Sequence, residues 1–136
     1  PLQTAHDRGV KGFGQASDMI KFAPDTQLTS SMDHWDEYYV ERVKAAMDGS
    51  WKSGDVWGGL KSGMLHMAPY TNMPDDVKAL AQKTEEGIKS GEIMIFKGPI
   101  KAQDSSVKVA DGQLLDDGAI AGMDWLAEGV EGQLPK

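Results

Sequence analysis

Residues 12–35 read GFGQASDMIKFAPDTQLTSSMDHW. The stretch opens on a glycine-flanked apolar run, passes Asp18 and a loop broken by Pro24, and enters a second β-like run from Leu28 to Met32. It leaves that run through Asp33, His34 and Trp35. Each run reads as a short strand, and each is followed by an acid. In open α/β sheets, ligands bind in the crevice beyond the carboxyl ends of the strands. The two acid-bearing ends are therefore expected to form two rims of a small-molecule cleft.

Upstream, Pro1 to Arg8 reads as the tail of a helix, with Leu2 and Ala5 on one face and Gly9 as its C-terminal stop. Val10 to Gly14 then gives the first strand. Helix, glycine and strand in that order make half of a βαβ unit without its first strand, so the chain is expected to start inside a larger fold. Downstream, Asp36 to Met47 is helical, with Tyr39, Val43, Ala46 and Met47 on one stripe and a stop at Asp48-Gly49. Residues 51–60, WKSGDVWGGL, place turn residues between Trp51 and Trp57, which read as pins for that turn. Residues 63–68, GMLHMA, suit a strand.

Asn72 to Asp76 opens another helix, with Asn72 as its cap candidate, Pro74 near the first turn and acids where the helix dipole favours them. That helix is expected to run to about Ser90, burying Val77, Leu80, Ala81, Thr84 and Ile88, and to close at Gly91. EIMIF, residues 92–96, is a strand by composition. SSVKV, residues 105–109, suggests a short strand running into the Asp111-Gly112 turn. Residues 116–132 form a short acidic helix or turn carrying Trp125. The pattern is α/β.

The chain has 136 residues, the size of one ordinary domain. Its net charge is −7, and its fourteen Lys and Arg are scattered rather than striped. Both facts speak against a nucleic-acid partner. No run approaches the roughly 18 apolar residues of a membrane span. The start at Pro1-Leu2-Gln3 carries no signal-peptide pattern and is expected to reflect processing or truncation, which leaves the compartment open. The absence of cysteine excludes disulfides and thiolate chemistry.

His6, His34 and His66 lack metal-site spacing and read as surface or capping histidines; His34, beside Asp33 and Trp35, stays a ligand candidate. No nucleophile elbow, Walker loop or His-Glu-x-x-His occurs. GFGQAS lacks the third glycine and following helix of a phosphate loop. Asp75-Asp76 and Asp116-Asp117 read as helix-start acids. No assembled nucleophile or acid–base pair is visible, so no enzyme, metal or cofactor is expected. Asp18 could accept hydrogen bonds from sugar hydroxyls or base N–H groups, or could cap its own loop. Trp35 could stack on a flat ligand or pack against Tyr38 and Tyr39.

The stretch from Ser17 to Tyr70 and the ending FKGPIKAQDSSVKVADGQ…GMDWLAEGVEGQLP resemble the C-terminal portion of the basic membrane protein family. These are substrate-binding lipoproteins of ABC transporters, related to purine nucleoside-binding lipoproteins, and the likeness covers essentially the whole chain. The resemblance implies part of a type I periplasmic-binding-protein fold, two Rossmann-like lobes clamping a ligand, with the N-terminal portion absent. On it, residues 1–33 are the end of the second lobe and about 34–65 are crossover and first-lobe return. Residues 66–136 are then the final elements and tail. It further implies a periplasmic or cell-envelope protein, held by a lipid anchor in its full-length form, that serves an ABC permease.

Nucleoside-binding members read like Gly-Val-Asp-Ser-Asp-Gln where this chain has Gly14-Gln15-Ala16-Ser17-Asp18-Met19. Asp18 matches the second acid, and Ala16 replaces the first. Where those members carry a ribose-holding Lys, this chain has Asp33. The resemblance thus implies weaker ribose recognition, with Asp33 accepting a base N–H and Trp35 as an apolar wall. Ser17, Asp18, Asp33, His34 and Trp35 are the implied ligand contacts, with adenine or another free purine base, or a purine nucleoside, as ligand. The competing expectations are a truncated fragment without ligand function of its own, and an α/β enzyme of nucleoside metabolism.

Overall fold

A computed structural model describes residues 1–135 and begins with α1 (Leu2–Asp7). Gly9 ends that helix in the left-handed region at φ 66°, and its N–H donates to the His6 carbonyl at 2.9 Å. The chain then enters β1 (Gly12–Gly14), which runs parallel to β2 (Gln27–Asp33). Between them lie a short 3-10 turn, Ile20–Phe22, and Pro24. On its other edge β2 pairs antiparallel with β3 (Leu65–Met67), giving the order β1-β2-β3.

Two helices complete this unit, Pro1–Glu92. α2 (Asp36–Asp48) starts on Asp36 and Glu37 and stops at Gly49, φ 76°. α3 (Asp75–Ser90) starts on Asp75 and Asp76 and stops at Gly91, φ 82°. Acids at the start and a left-handed glycine at the stop are what the helix dipole and the orphan end carbonyls require.

The interior of this unit is largely polar. Thr26, Gln27, Thr29 and Ser30 are buried, beside only Leu2, Ala23 and Ala68 among apolar residues. Hydrogen bonds offset that burial. Thr29 Oγ1 donates to the Ala68 carbonyl and Thr71 Oγ1 to the Gln27 carbonyl, both at 2.7 Å. Asn72 Nδ2 donates to the carbonyls of Pro24 and Gln27, each at 2.7 Å. Asn72 therefore does not cap α3, where Pro74 takes the N-cap position; its amide ties the loop before α3 to the start of β2.

The helices do not bury the faces their periodicity marks. No residue of α2 is buried, and Met47 on its stripe is 83% exposed. In α3 only Gly87 is buried, and Leu80 is 65% exposed. Val77, Leu80, Ala81 and Ile88, with Phe13 and Met67, instead line an open apolar groove of about 420 Å³. A three-stranded sheet whose outer strands have three residues each is too small to cover two helices.

The second unit runs from Ile93 onward. β4 (Ile100–Lys101) pairs antiparallel with β5 (Val107–Val109), burying Ala102 and Val109. α4 (Asp117–Ala121) is capped by Asp116, whose Oδ1 accepts from Ala119 N at 2.8 Å. The strand expected at EIMIF does not form. Ile93, Met94 and Ile95 are exposed, and pairing begins only with the Lys97–Leu114 bridge. Composition suited residues 92–96 to a strand, but they lie along no pairing edge.

One side-chain relay fastens α3. Tyr70 OH donates to Glu85 Oε2 at 3.0 Å, and Lys89 Nζ lies 2.7 Å from Glu85 Oε1. Partial burial, then the hydrogen bond and charge of Glu85, push the Tyr70 phenol up to about 12. The folded chain thus keeps a proton that the unfolded chain releases near pH 10. The linked stability is complete below pH 10 and is lost as pH rises toward 12. Urea midpoints measured between pH 9 and 11 should fall with pH, and fall less steeply in Tyr70→Phe. Parallel slopes would show that the relay carries no such linkage.

Candidate functional site

β1 ends at Gly14, and residues 15–18 turn across the carboxyl end of the parallel pair. Three consecutive acceptors in that turn are taken by donors on β2. Asp33 N donates to the Ala16 carbonyl at 3.0 Å. Ser30 Oγ donates to the Ser17 carbonyl at 2.6 Å. Gln27 Nε2 donates to Asp18 Oδ1 at 2.8 Å. Ala16 takes a left-handed backbone, φ 66°, which costs a non-glycine residue about 1–2 kcal/mol. The three ties hold it there.

The register explains why one loop reaches all three donors. Gly12 pairs with Gln27 but Gly14 with Ser30, so β2 carries one extra residue opposite β1. A bulge of this kind re-aims a side chain. Here it brings the Ser30 hydroxyl and the Gln27 amide to the same spot in front of Gly14. A Cβ on Gly14 would sit 2.5 Å from Ser30 Oγ and 2.9 Å from Gln27 Oε1.

Asp18 does cap its own loop: its Oδ1 also accepts from Ile20 N at 3.0 Å. That use consumes one oxygen. Oδ2 receives no hydrogen bond among the described residues, and the side chain is exposed. Asp33 is the last residue of β2 rather than a residue beyond it, and it too is exposed. The Ala16–Asp33 bond places Ser17, Asp18 and Asp33 on adjoining backbone. The Ser17 hydroxyl faces Met19 Sδ at 3.3 Å.

The next two residues engage other partners. The His34 ring stacks on His66 at 3.8 Å, its Nδ1 lies 3.7 Å from Asp36 Oδ1, and the His34 backbone N–H donates to the Met64 carbonyl at 2.9 Å. Trp35 meets Tyr38 edge-to-face at 5.8 Å and Tyr39 at 6.2 Å, while remaining 46% exposed. Its packing role is therefore real, with part of the ring left open. Among the described residues no group of three metal-capable side chains gathers.

Gln27 and Ser30 are site residues that no motif marks. The sequence shows only their polarity: QLTSS, residues 27–31, places polar residues on both faces of a strand, which an ordinary core strand does not do. Gln27 also leaves a debt. An aspartate carboxylate only accepts, so the amide nitrogen must face Asp18, and Oε1 points away. That oxygen is buried with no partner among the described residues. Such an orphan costs about 1–3 kcal/mol. Chemically, the site offers two exposed carboxylates, Asp18 in the turn after β1 and Asp33 at the end of β2, which can accept from N–H and O–H donors.

A family model described as ABC transporter substrate-binding protein PnrA-like matches residues 2–104. A purine-binding protein of Brucella abortus (strain 2308) is 57% identical over 135 residues, covering 99% of this chain and 39% of that protein. A Haloferax volcanii protein, provisionally named an ABC transporter glucose-binding protein, is 27% identical over 135 residues, covering 98% of this chain and 32% of that one. The chain thus spans less than half the length of either curated relative. A Bacillus halodurans crystal structure, described as a transcriptional activator of the comK gene, superposes with a TM-score of 0.58 at 22% identity. That match covers 68% of this chain and 33% of the other, and it speaks to the fold alone.

The crowding in front of Gly14 can be tested directly. Gly14→Ala should destabilise by about 1–3 kcal/mol, because the new methyl displaces the Ser30 hydroxyl from the Ser17 carbonyl. Combining it with Ser30→Ala removes the hydroxyl contact, the shortest of the clash, and leaves the Ser30 Cβ at 2.8 Å, so the double variant should lose less than the two single losses together. Additive losses in urea unfolding would show that Gly14 and Ser30 do not compete for this space.

Proposed function

The chain belongs to the family of PnrA-like ABC transporter substrate-binding proteins and forms part of a periplasmic-binding-protein-like α/β fold. From that premise we propose that it is the solute-binding component of an ABC importer for a purine. The ligand is a purine base, adenine foremost, or a purine nucleoside. It is held in a cleft between two lobes and passed to a membrane permease. The observation that carries this reading is the 57% identity, over nearly the whole chain, to a protein named for purine binding.

The site supports the same reading. Asp18 Oδ2 and the Asp33 carboxylate are acceptors of the kind a base's exocyclic and ring N–H groups need. Ser17 adds a hydroxyl, and His34 and Trp35 supply flat walls beside Asp33. The protein binds without turnover, lies outside the cytoplasm, and in full-length form is tethered by a lipid anchor. On this reading residues 1–33 end one lobe, and the other lobe closes over the ligand from the opposite side.

Calorimetric titration of the full-length protein with adenine, adenosine, guanosine and glucose tests the proposal. Adenine should saturate at one site and be recovered unchanged. Asp33→Ala should weaken it at least tenfold, about 1.4 kcal/mol. Binding of glucose alone would replace the purine with a sugar. Binding of none of the four would overturn the reading.

A further inference from the structure

Gln27 stands where a sheet ordinarily places an aliphatic side chain. It is 1% exposed, on the central strand. Its main chain is fixed from three directions: N donates to the Ala23 carbonyl, and its own carbonyl accepts from Thr71 Oγ1 and Asn72 Nδ2. The side chain is extended between Asp18 on one side and the Gly14–Ser30 corner on the other. The amide nitrogen is used, and the amide oxygen is buried and unpaired among the described residues. A leucine or isoleucine would fill this space without stranding an acceptor. A local rule broken inside a sheet is expected at functional or strained positions.

What the amide does is hold one oxygen of an exposed carboxylate. Gln27 Nε2 and Ile20 N converge on Asp18 Oδ1, at 2.8 and 3.0 Å. Two donors on one oxygen fix the carboxylate plane and leave Oδ2 as its free edge. Asp18 is otherwise an exposed side chain on a turn. We propose that Gln27 is a positioning residue. It aims the Asp18 carboxylate at the ligand from inside the sheet, without touching the ligand. This holds only if Asp18 is the ligand acceptor proposed above, and the test separates the two.

Gln27→Glu is the discriminating variant. At low pH its new carboxyl is protonated and can donate an O–H to Asp18, as the amide N–H does. When both carboxyls ionise, they repel and the aim is lost. The other groups facing this strand start, His6 hydrogen-bonded to Thr26 at 3.3 Å and Lys11 on the Asp25 carbonyl, are the same in the variants as in the wild type, whose pH profile is their control.

Adenine dissociation constants would be measured on the full-length wild type, Gln27→Leu, Gln27→Glu and Asp18→Asn between pH 5.5 and 9, with folding checked by circular dichroism. Gln27→Leu should bind at least tenfold more weakly at every pH. Gln27→Glu should come within about threefold of wild type at pH 5.5 and fall at least tenfold behind it at pH 9. If Gln27→Leu does not fold, Gln27→Met takes its place with the same expectation. Equal loss in the leucine and glutamate variants at every pH would make Gln27 a packing residue and overturn the proposal. Wild-type affinity in both, with loss in Asp18→Asn, would overturn it while leaving the purine site standing. Wild-type affinity in Asp18→Asn, or no adenine binding by the wild type, would remove Asp18 as ligand acceptor and Gln27's role with it.

Discussion

The turn after β1 is held by β2, and the candidate site depends on that hold. Three acceptors in consecutive residues, Ala16, Ser17 and Asp18, meet three donors spaced three apart on β2, Asp33, Ser30 and Gln27. A regular strand would send the side chains of residues 27 and 30 to opposite faces. The extra residue in β2 opposite β1 cancels that alternation locally, and glycine at position 14 leaves space for the result. Bulge, glycine and left-handed alanine are thus parts of one device. Each would be a defect alone, and together they fix two acidic positions on adjoining backbone.

The construction is directional rather than apolar. The buried set around β2 is Thr26, Gln27, Thr29 and Ser30, and the side-chain hydrogen bonds that Gln27, Thr29 and Ser30 donate at 2.6–2.8 Å define positions more sharply than hydrophobic contacts do. Sharp placement matters more for a binding loop than for a core. A ligand recognised by a few acceptors gains affinity when those acceptors are ordered before it arrives, because their ordering no longer has to be met on binding. The same economy leaves the apolar faces of α2 and α3 uncovered. Packing strength and site precision are supplied in this unit by different residues.

Elements were legible in the sequence where a local signal sufficed. Gly9, Gly49 and Gly91 stop helices as their types suggest, and Asp75, Asp76 and Asp116 sit at helix starts. Burial was not legible. Val77 and Leu80 recur at helical spacing whether or not the same unit supplies a partner, and here it does not. EIMIF has strand composition, but a strand also needs an edge. Asn72 has the residue type that favours caps, yet its amide donates to carbonyls 48 and 45 residues back along the chain. At the site, the acids could be picked out because chemistry is written in residue type. Gln27 and Ser30 stood out only as polar residues in a strand, since their roles follow from a bulge that no periodicity records.

Asp18 shows why the two readings of an exposed acid are not exclusive. A carboxylate has two oxygens, and a loop needs only one of them. With Oδ1 taken by Ile20 and Gln27, the side chain has lost its freedom without losing its acceptor capacity. The capping use is what makes the remaining oxygen a defined edge instead of a mobile charge. Asp33 is fixed only through the main chain: its N–H is committed to Ala16, which sets the strand end, and its carboxylate stays exposed. The two residues that help tie the loop together, Asp18 by its side chain and Asp33 by its main chain, also carry the exposed carboxylates of the candidate site.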